Sequence, residues 1–139
     1  MTSGVTPTRP LPQFSALSRP FWEGCRRHEL LLQRCSRCSS YIFYPRATCP
    51  TCGSTDLCWR AVSGNATLFA FTIARRATHR LLSDRVPYVI ALVELDEGPR
   101  LTSTVVDVPF DHLVTGLRLR VDFEDFGECA LPLFRQATN

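Results

Sequence analysis

The sequence predicts a mainly β chain in which an N-terminal helix and a rubredoxin-like zinc ribbon precede a five-stranded OB-fold barrel. Two CxxC pairs lie ten residues apart, a spacing at which four thiolates converge on one metal ion. From residue 56 onward the hydrophobic residues recur with a period of two, which is typical of half-buried strands. One short helical pattern interrupts the predicted strands between the third and the fourth, as in an OB-fold.

The N-terminal helix is predicted to begin at Ser18-Arg19-Pro20, since serine is a good N-cap and proline is tolerated in the first helical turn. Phe21 and Trp22 then lie on an apolar face, opposite a face that carries arginines and a histidine. One interpretation is a short amphipathic helix that packs against its own domain. The other is that Phe21 and Trp22 dock on a partner protein.

The two CxxC pairs predict the metal ligands Cys35, Cys38, Cys49 and Cys52. Four thiolates at this spacing favour a closed tetrahedral zinc site, which has no open position for catalysis. Iron in a rubredoxin-like site and a redox-active pair of thiols are the rival interpretations, although the thioredoxin pattern is absent. We predict one structural Zn²⁺, because the ribbon is too small to bury a core of its own.

The other cysteines and the histidines carry no recognisable site. Three cysteines have no CxxC partner and are predicted to be small buried hydrophobic residues: Cys25, Cys58 and Cys129. Cys58 is close enough to Cys52 in sequence to compete for the metal. Three histidines fall in no metal-binding or triad motif: His28, His79 and His112. We therefore predict no catalytic residue, with a Cys–His pair distant in sequence as the alternative.

Alternating stretches predict the strands of the barrel at 66–74, 88–95, 101–108, 117–123 and 131–134. The turn at 96–99 joins the second and third strands as a hairpin, and the helical pattern covers residues 109–114. The predicted organisation of the whole chain is a flexible tail at 1–17, a helix and arm at 18–34, the ribbon at 35–55, the barrel at 56–135 and a tail at 136–139.

Composition excludes several classes of protein. All 16 basic residues are arginines, so neither a lysine Schiff base nor a P-loop lysine is available. The net charge of +3 is too small to indicate nucleic-acid binding by itself. No apolar stretch is long enough to span a membrane, and the N-terminal tail has no signal-peptide core. The odd number of cysteines fits a reducing compartment, so we predict a cytoplasmic protein.

One polar loop next to the barrel holds the residues best suited to contact a small molecule: Arg75, Arg76, His79, Arg80 and Arg85. Guanidinium groups suit the phosphates of coenzyme A. The alternatives are contact with a partner protein and a solvated loop whose arginines pair with surface carboxylates. Phe69, Phe71 and Tyr88 could stack on single-stranded nucleic acid, but their apolar neighbours favour a role in the core.

The combination of these motifs in this order resembles the DUF35 family of zinc-ribbon and OB-fold proteins associated with acyl-CoA metabolism. The resemblance covers residues 18–135. The matching stretches are Pro20–Gly24, Leu32–Cys38, Tyr44–Arg46, Cys49–Gly53, Val62–Gly64, Pro87–Gly98 and Gly116–Val121.

Members of that family are accessory subunits of thiolase-like enzymes, including thiolases, acyltransferases and aldolases that cut steroid side chains from CoA thioesters. The resemblance implies a non-catalytic subunit of a hetero-oligomer in lipid metabolism or steroid degradation, which binds such an enzyme and helps to form its acyl-CoA site. Two other functions stay open on the sequence: an OB-fold that binds single-stranded nucleic acid, and a stand-alone acyl-CoA-binding protein.

Overall fold

The computed structural model describes residues 14–77 and 83–137 of the chain. One helix and eight strands follow one another in these residues: α1 Arg19–Arg26, β1 Leu31–Cys35, β2 Tyr41–Ile42, β3 Leu57–Ala61, β4 Asn65–Ala74, β5 Tyr88–Leu95, β6 Arg100–Ser103, β7 Arg118–Phe126 and β8 Cys129–Gln136. A 3₁₀ turn at Phe110–His112 separates β6 from β7. Within these residues, no helix has the length and hydrophobicity needed to cross a membrane.

The helix forms where the sequence predicts it, with Ser18 as N-cap and a proline in the first turn. Phe21 and Cys25 are buried on one face of α1. Gly24 is required there because a Cβ at this position would lie 2.8 Å from Leu31 Cγ. The close approach of α1 to β1 therefore depends on a residue without a side chain.

The ribbon is a three-stranded antiparallel sheet in the order β2-β1-β3. β3 falls in the stretch that is predicted as barrel from residue 56. In the structure all of β3 pairs with β1, with Cys35 opposite Leu57 and Leu31 opposite Ala61. A period of two identifies a strand but not the strand with which it pairs. In the aromatic run at residues 41–44, only Tyr41–Ile42 is paired as a strand.

The five remaining strands form one antiparallel sheet in the order β6-β5-β4-β7-β8. Its two ends meet through a parallel bridge between Val105 and Phe134. Phe134 N–H donates to the carbonyl oxygen of Thr104 at 2.9 Å, and Val106 N–H donates to that of Phe134 at 3.0 Å. This closure, with the 3₁₀ turn between the third and fourth barrel strands, confirms the predicted OB-fold.

The helix, the arm of the ribbon and the barrel share one hydrophobic core. Phe21 and Leu32 pack in the same buried cluster as the barrel residues Leu68 and Phe134. A second, small cluster lies under the metal-binding cysteines, around Ile42. The ribbon therefore has little core beyond its cysteines, as expected of a module that depends on a metal.

The junction between ribbon and barrel is a tight turn at Gly64. Its φ is +81°, and a Cβ there would lie 2.4 Å from Val121 Cγ1. Val121 N–H also donates to the carbonyl oxygen of Gly64 at 2.8 Å. Glycine is needed here both for the left-handed backbone and for the close approach to β7.

The predicted tails are only partly covered by the structure. Residues 1–13 and 138–139 lie outside the described residues. Phe14, placed in the N-terminal tail by the sequence analysis, stacks on Trp22 with ring centroids 5.7 Å apart. Gln136, placed in the C-terminal tail, is the last residue of β8.

Candidate metal centre and apolar groove

The four cysteines of the two CxxC pairs sit in two knuckles with the same backbone geometry. In each knuckle the residue four positions after the first cysteine has a positive φ, 67° at Ser39 and 78° at Gly53. Its N–H donates to the carbonyl oxygen of that first cysteine, Cys35 or Cys49, at 2.8 Å in both cases. Serine therefore adopts in the first knuckle the left-handed conformation that glycine adopts in the second.

The sulfur atoms of these cysteines converge. All four Sγ atoms lie within 4.8 Å of one another, and the Cys35–Cys52 and Cys38–Cys49 sulfurs are 3.6 Å apart. A tetrahedron with Zn–S bonds of about 2.3 Å has edges of about 3.8 Å. Both the donor set and the spacing thus fit a closed structural Zn²⁺ site, as the sequence predicts.

The first knuckle also stabilises its two cysteines as thiolates. The N–H of Cys38 lies 3.4 Å from Cys35 Sγ and lowers the pKa of the Cys35 thiol. Ser40 Oγ lies 3.2 Å from Cys38 Sγ, and hydrogen bonds from the Ser40 side chain and backbone lower the pKa of the Cys38 thiol to about 6. A hydrogen bond to the charged form favours ionisation, which metal binding by cysteine requires.

Cys58 and Cys25 lie outside this cluster. Cys58 Sγ is 3.8 Å from Ser36 Oγ, and hydrogen bonds from Arg60 and then Ser36 lower the pKa of its thiol. Cys25 is fully buried in the main core, and burial raises the pKa of its thiol to about 12. Cys25 is thus the buried hydrophobic residue that the sequence predicts, and Cys58 is not part of the four-sulfur set.

A groove with a volume of about 890 Å³ runs between the helix and ribbon on one side and the barrel on the other. Trp22 and Phe43 line its first wall, and Tyr88, Val89 and Leu133 are among the residues of the barrel wall. Sites that bind small molecules or anchor residues of partners are commonly apolar and of this size. The groove is therefore a candidate binding surface.

The rim of the groove exposes large apolar side chains. Tyr44, Ile90 and Phe110 line it and have exposed fractions of 58%, 37% and 36%. Contiguous apolar surface of this kind marks sites of protein or ligand contact more often than solvent-facing surface. Trp22 is half-buried at the same groove, whereas Phe21 is 4% exposed and packs in the core. Phe21 also lines the groove, so a partner contact by Phe21 and Trp22 stays a prediction.

Buried Gln33 holds the segment that carries Tyr44. Its side-chain amide donates to the carbonyl oxygen of Arg46 at 2.8 Å and accepts from the Arg46 N–H at 2.7 Å. The same segment is flanked by the ligands Cys38 and Cys49. One rim of the groove is thus fixed by the metal site at both ends and by a buried amide in the middle.

The predicted arginine loop reaches the groove only at Arg85 among its described residues. Arg85 Nη2 lies 3.6 Å from a carboxylate oxygen of Glu124, and its guanidinium lies 5.5 Å from the ring centroid of Phe126. Arg75 and Arg76 are exposed, and His79 and Arg80 lie outside the described residues. A role of these residues in coenzyme A binding stays a prediction.

The aromatic residues considered for nucleic-acid stacking are already engaged. The Arg100 guanidinium lies 3.8 Å from the ring centroid of Phe69 and also pairs with Glu94 at 3.0 Å. Phe71 packs against the core, and Tyr88 lines the groove. A base would have to displace the guanidinium from Phe69, which disfavours this interpretation.

The sequence analysis missed Tyr44, Ile90 and Phe110 as functional candidates. A signal was present in β5, where Ile90 and Leu92 place apolar side chains on the face opposite to buried Val89 and Ala91. A strand with apolar residues on both faces usually has both faces covered. Tyr44 falls in a stretch that matches the family, but no local pattern gives Tyr44 or Phe110 a role, since the groove arises only when ribbon and barrel are brought together.

Comparison with known proteins gives matches over nearly the whole chain. Residues 22–57 match the family model of the ChsH2 rubredoxin-like zinc ribbon domain, and residues 59–124 match that of the ChsH2 C-terminal OB-fold domain. A DUF35 domain-containing scaffold protein of Methanothermobacter thermautotrophicus is 31% identical over 104 residues, which cover 74% of this chain and 77% of that protein.

Two further relatives carry names of enzyme complexes. A probable enoyl-CoA hydratase alpha subunit of Thermomonospora curvata is 32% identical over 130 residues, which are 93% of this chain but only 40% of that protein. The chain thus spans less than half the length of that relative. A solved chain of the Ltp2-ChsH2(DUF35) aldolase superposes with a TM-score of 0.83 at 30% identity, covering 92% of this chain and 100% of that chain.

Proposed function

Because the chain belongs to the DUF35 family, we propose that it is a non-catalytic accessory subunit that binds a thiolase-like enzyme and helps to form the acyl-CoA site of that enzyme. The apolar groove with its exposed rim carries the proposal. Exposing these apolar side chains to water costs free energy. Such a rim is better explained as a surface that another molecule covers. The names of the similar proteins, a scaffold protein, an alpha subunit and an aldolase complex, support the part of this proposal that makes the chain an accessory subunit of an enzyme complex.

In this function, the zinc site fixes the shape of the ribbon and takes no part in the reaction. The bound Zn²⁺ supplies a closed tetrahedral anchor with no vacant position for substrate. The knuckles and Gln33 hold Tyr44 at the rim, so that this residue is already in place before a partner binds. Such preorganisation reduces the entropy lost on association, because fewer side chains have to be ordered in the complex.

The enzyme would supply the reacting groups. This chain would cover apolar surface next to them and exclude water, while Arg85 is the described cation that faces the groove and could meet an anionic part of the CoA thioester. The same groove is large enough to favour a second function, binding of an acyl-CoA by the chain alone. Calorimetry of the purified chain with a long-chain acyl-CoA distinguishes the two, since an obligate accessory subunit gives no heat of binding on its own.

Co-purification tests the proposal. A tagged chain isolated from its native cells should bring down a thiolase-like protein in fixed stoichiometry. Tyr44→Ser and Phe110→Ser should each lower the recovery by about tenfold, as expected for contact residues of an interface. Phe69→Ser is the matched control, because Phe69 is an exposed phenylalanine that does not line the groove. Recovery of the chain without such an enzyme, or equal recovery with all variants, would contradict the proposal.

A further inference from the structure

The outer strand of the ribbon has an open edge. In the sheet order β2-β1-β3, β3 pairs with β1 on one side and with no described strand on the other. Its pairing with β1 is continuous over Leu57–Ala61, with no bulge. The strand contains no proline, and Arg60 is its only charged residue. An open edge is a template for pairing with another chain, and soluble proteins usually block such edges with proline, bulges or several charged side chains.

Two hydrogen bonds fix which backbone groups of β3 face β1. Val62 N–H donates to the carbonyl oxygen of Leu30 at 3.0 Å, and Ser36 N–H donates to that of Asp56 at 2.9 Å. In an antiparallel pair, alternate residues exchange both bonds with the neighbouring strand. The even-numbered residues of this segment therefore bond to β1, and the odd-numbered ones point their N–H and C=O groups outward.

The outward groups belong to Leu57, Trp59 and Ala61. Trp59 and Ala61 each present an N–H and a C=O with no described strand to bond to. The Trp59 side chain packs partly against the main core, which fixes the position of the strand. The edge is thus rigid and has the correct spacing of donors and acceptors for one more strand.

Charge determines what kind of strand fits. Arg34 of β1 lies directly opposite Cys58 of β3. Arg60 lies two residues after Cys58 and so is on the same face of the sheet. Among the described residues, neither guanidinium has a carboxylate partner, whereas arginines of the barrel such as Arg118 and Arg135 are paired with aspartates. The Arg60 guanidinium hydrogen-bonds to the Cys58 sulfur, and the Arg34 guanidinium lies 5.9 Å from the ring centroid of Tyr41. Carboxylates on this face of an added strand would be the first carboxylate partners of these two cations among the described residues.

We propose that an extended segment of a partner protein, with acidic side chains at alternate positions, adds to the edge of β3 as a fourth strand of the ribbon sheet. The backbone bonds to Trp59 and Ala61 give affinity, and carboxylates that meet Arg60 on β3 and face Arg34 one strand further in give register and selectivity. This surface lies apart from the groove, so it supplies a second contact beyond the one in the proposed function.

The test uses the full-length, zinc-loaded chain and a seven-residue peptide in which valine and glutamate alternate. Binding should shift and protect the amide signals of Trp59 and Ala61 in NMR spectra, with little change at the groove. A peptide with lysine in place of glutamate should bind at least tenfold more weakly, and so should one with N-methyl groups on alternate amides, which cannot donate. Binding should also weaken with added salt.

Two variants sharpen the test. Ala61→Pro removes an outward N–H and no bond to β1, which edge strands tolerate, and should weaken binding by about tenfold. Arg60→Glu should weaken it by a similar factor, whereas Arg26→Glu, an exposed arginine of α1, is the control. Equal binding of the lysine peptide, or protection of amides elsewhere than on β3, would overturn the proposal. Tyr44→Ser should leave peptide binding unchanged, so failure here is distinguishable from failure of the groove.

Discussion

Replacing Gln33 by methionine tests how the ribbon fixes the rim of the groove. Gln33 is 4% exposed, and its side chain makes two hydrogen bonds to the backbone of Arg46. Methionine conserves the volume but makes neither bond. Each bond contributes roughly 1 kcal/mol net, and the exposed Arg46 backbone can bond to water once released, so the expected loss is about 2 kcal/mol.

Two measurements follow this loss. The free energy of unfolding, measured in urea with excess zinc, should fall by about 2 kcal/mol. The Arg46 amide should exchange with solvent roughly 30-fold faster if it opens locally, since about 1.4 kcal/mol corresponds to a factor of ten. Recovery of the enzyme partner should also fall, because Tyr44 is no longer held in place.

Gln136→Met is the control, because Gln136 is an exposed glutamine at the end of β8. It should change neither the free energy of unfolding nor the free energy of local opening at the Arg46 amide by more than about 0.5 kcal/mol. If Gln33→Met left both quantities unchanged, the buried amide would not be what positions the rim, and the link from ribbon to groove would be refuted.

Three further predictions concern the junction, the metal and pH. Gly64→Ala should lower the unfolding free energy by about 2–4 kcal/mol, and Val121→Ala in the same chain should restore part of the loss, because it removes the clash but not the left-handed strain. Removal of zinc with a chelator should abolish protection of the ribbon amides first, and one equivalent of zinc should restore it. The hydrogen bond from Arg118 lowers the pKa of Asp96, so the stabilisation by this pair is present above the ordinary carboxyl pKa and is lost as pH falls through the lowered one. Both groups are exposed, so urea titrations of Asp96→Asn should show a loss below about 1 kcal/mol at neutral pH and none in strong acid.

The sequence was sufficient for features that depend on local chemistry. The spacing of Cys35, Cys38, Cys49 and Cys52 predicts the metal centre, because ligand type and short loops decide it. The proline near the start of α1 and the turn at Gly98 are likewise local signals. The five barrel strands follow from alternation, since one face of each strand packs on the core.

Features that depend on long-range pairing could not be predicted from the sequence. The residues of β3 alternate like those of a barrel strand, and nothing in that pattern indicates that the strand pairs with β1. The two bonds of Gln33 to Arg46 join residues that no motif connects. The groove exists only between modules, and so the sequence marks Trp22 on its helix but gives no reason to place Tyr44 beside it.

The proposed function makes this chain a zinc-bearing accessory subunit of a thiolase-like enzyme. Native mass spectrometry of the co-purified material tests it most directly, because it reports partner, stoichiometry and metal together. We predict a complex whose mass equals that of the enzyme plus this chain, with one zinc ion for each copy of the chain. The proposal would be contradicted if the spectra showed the folded, zinc-loaded chain and the enzyme only as separate masses at concentrations well above micromolar.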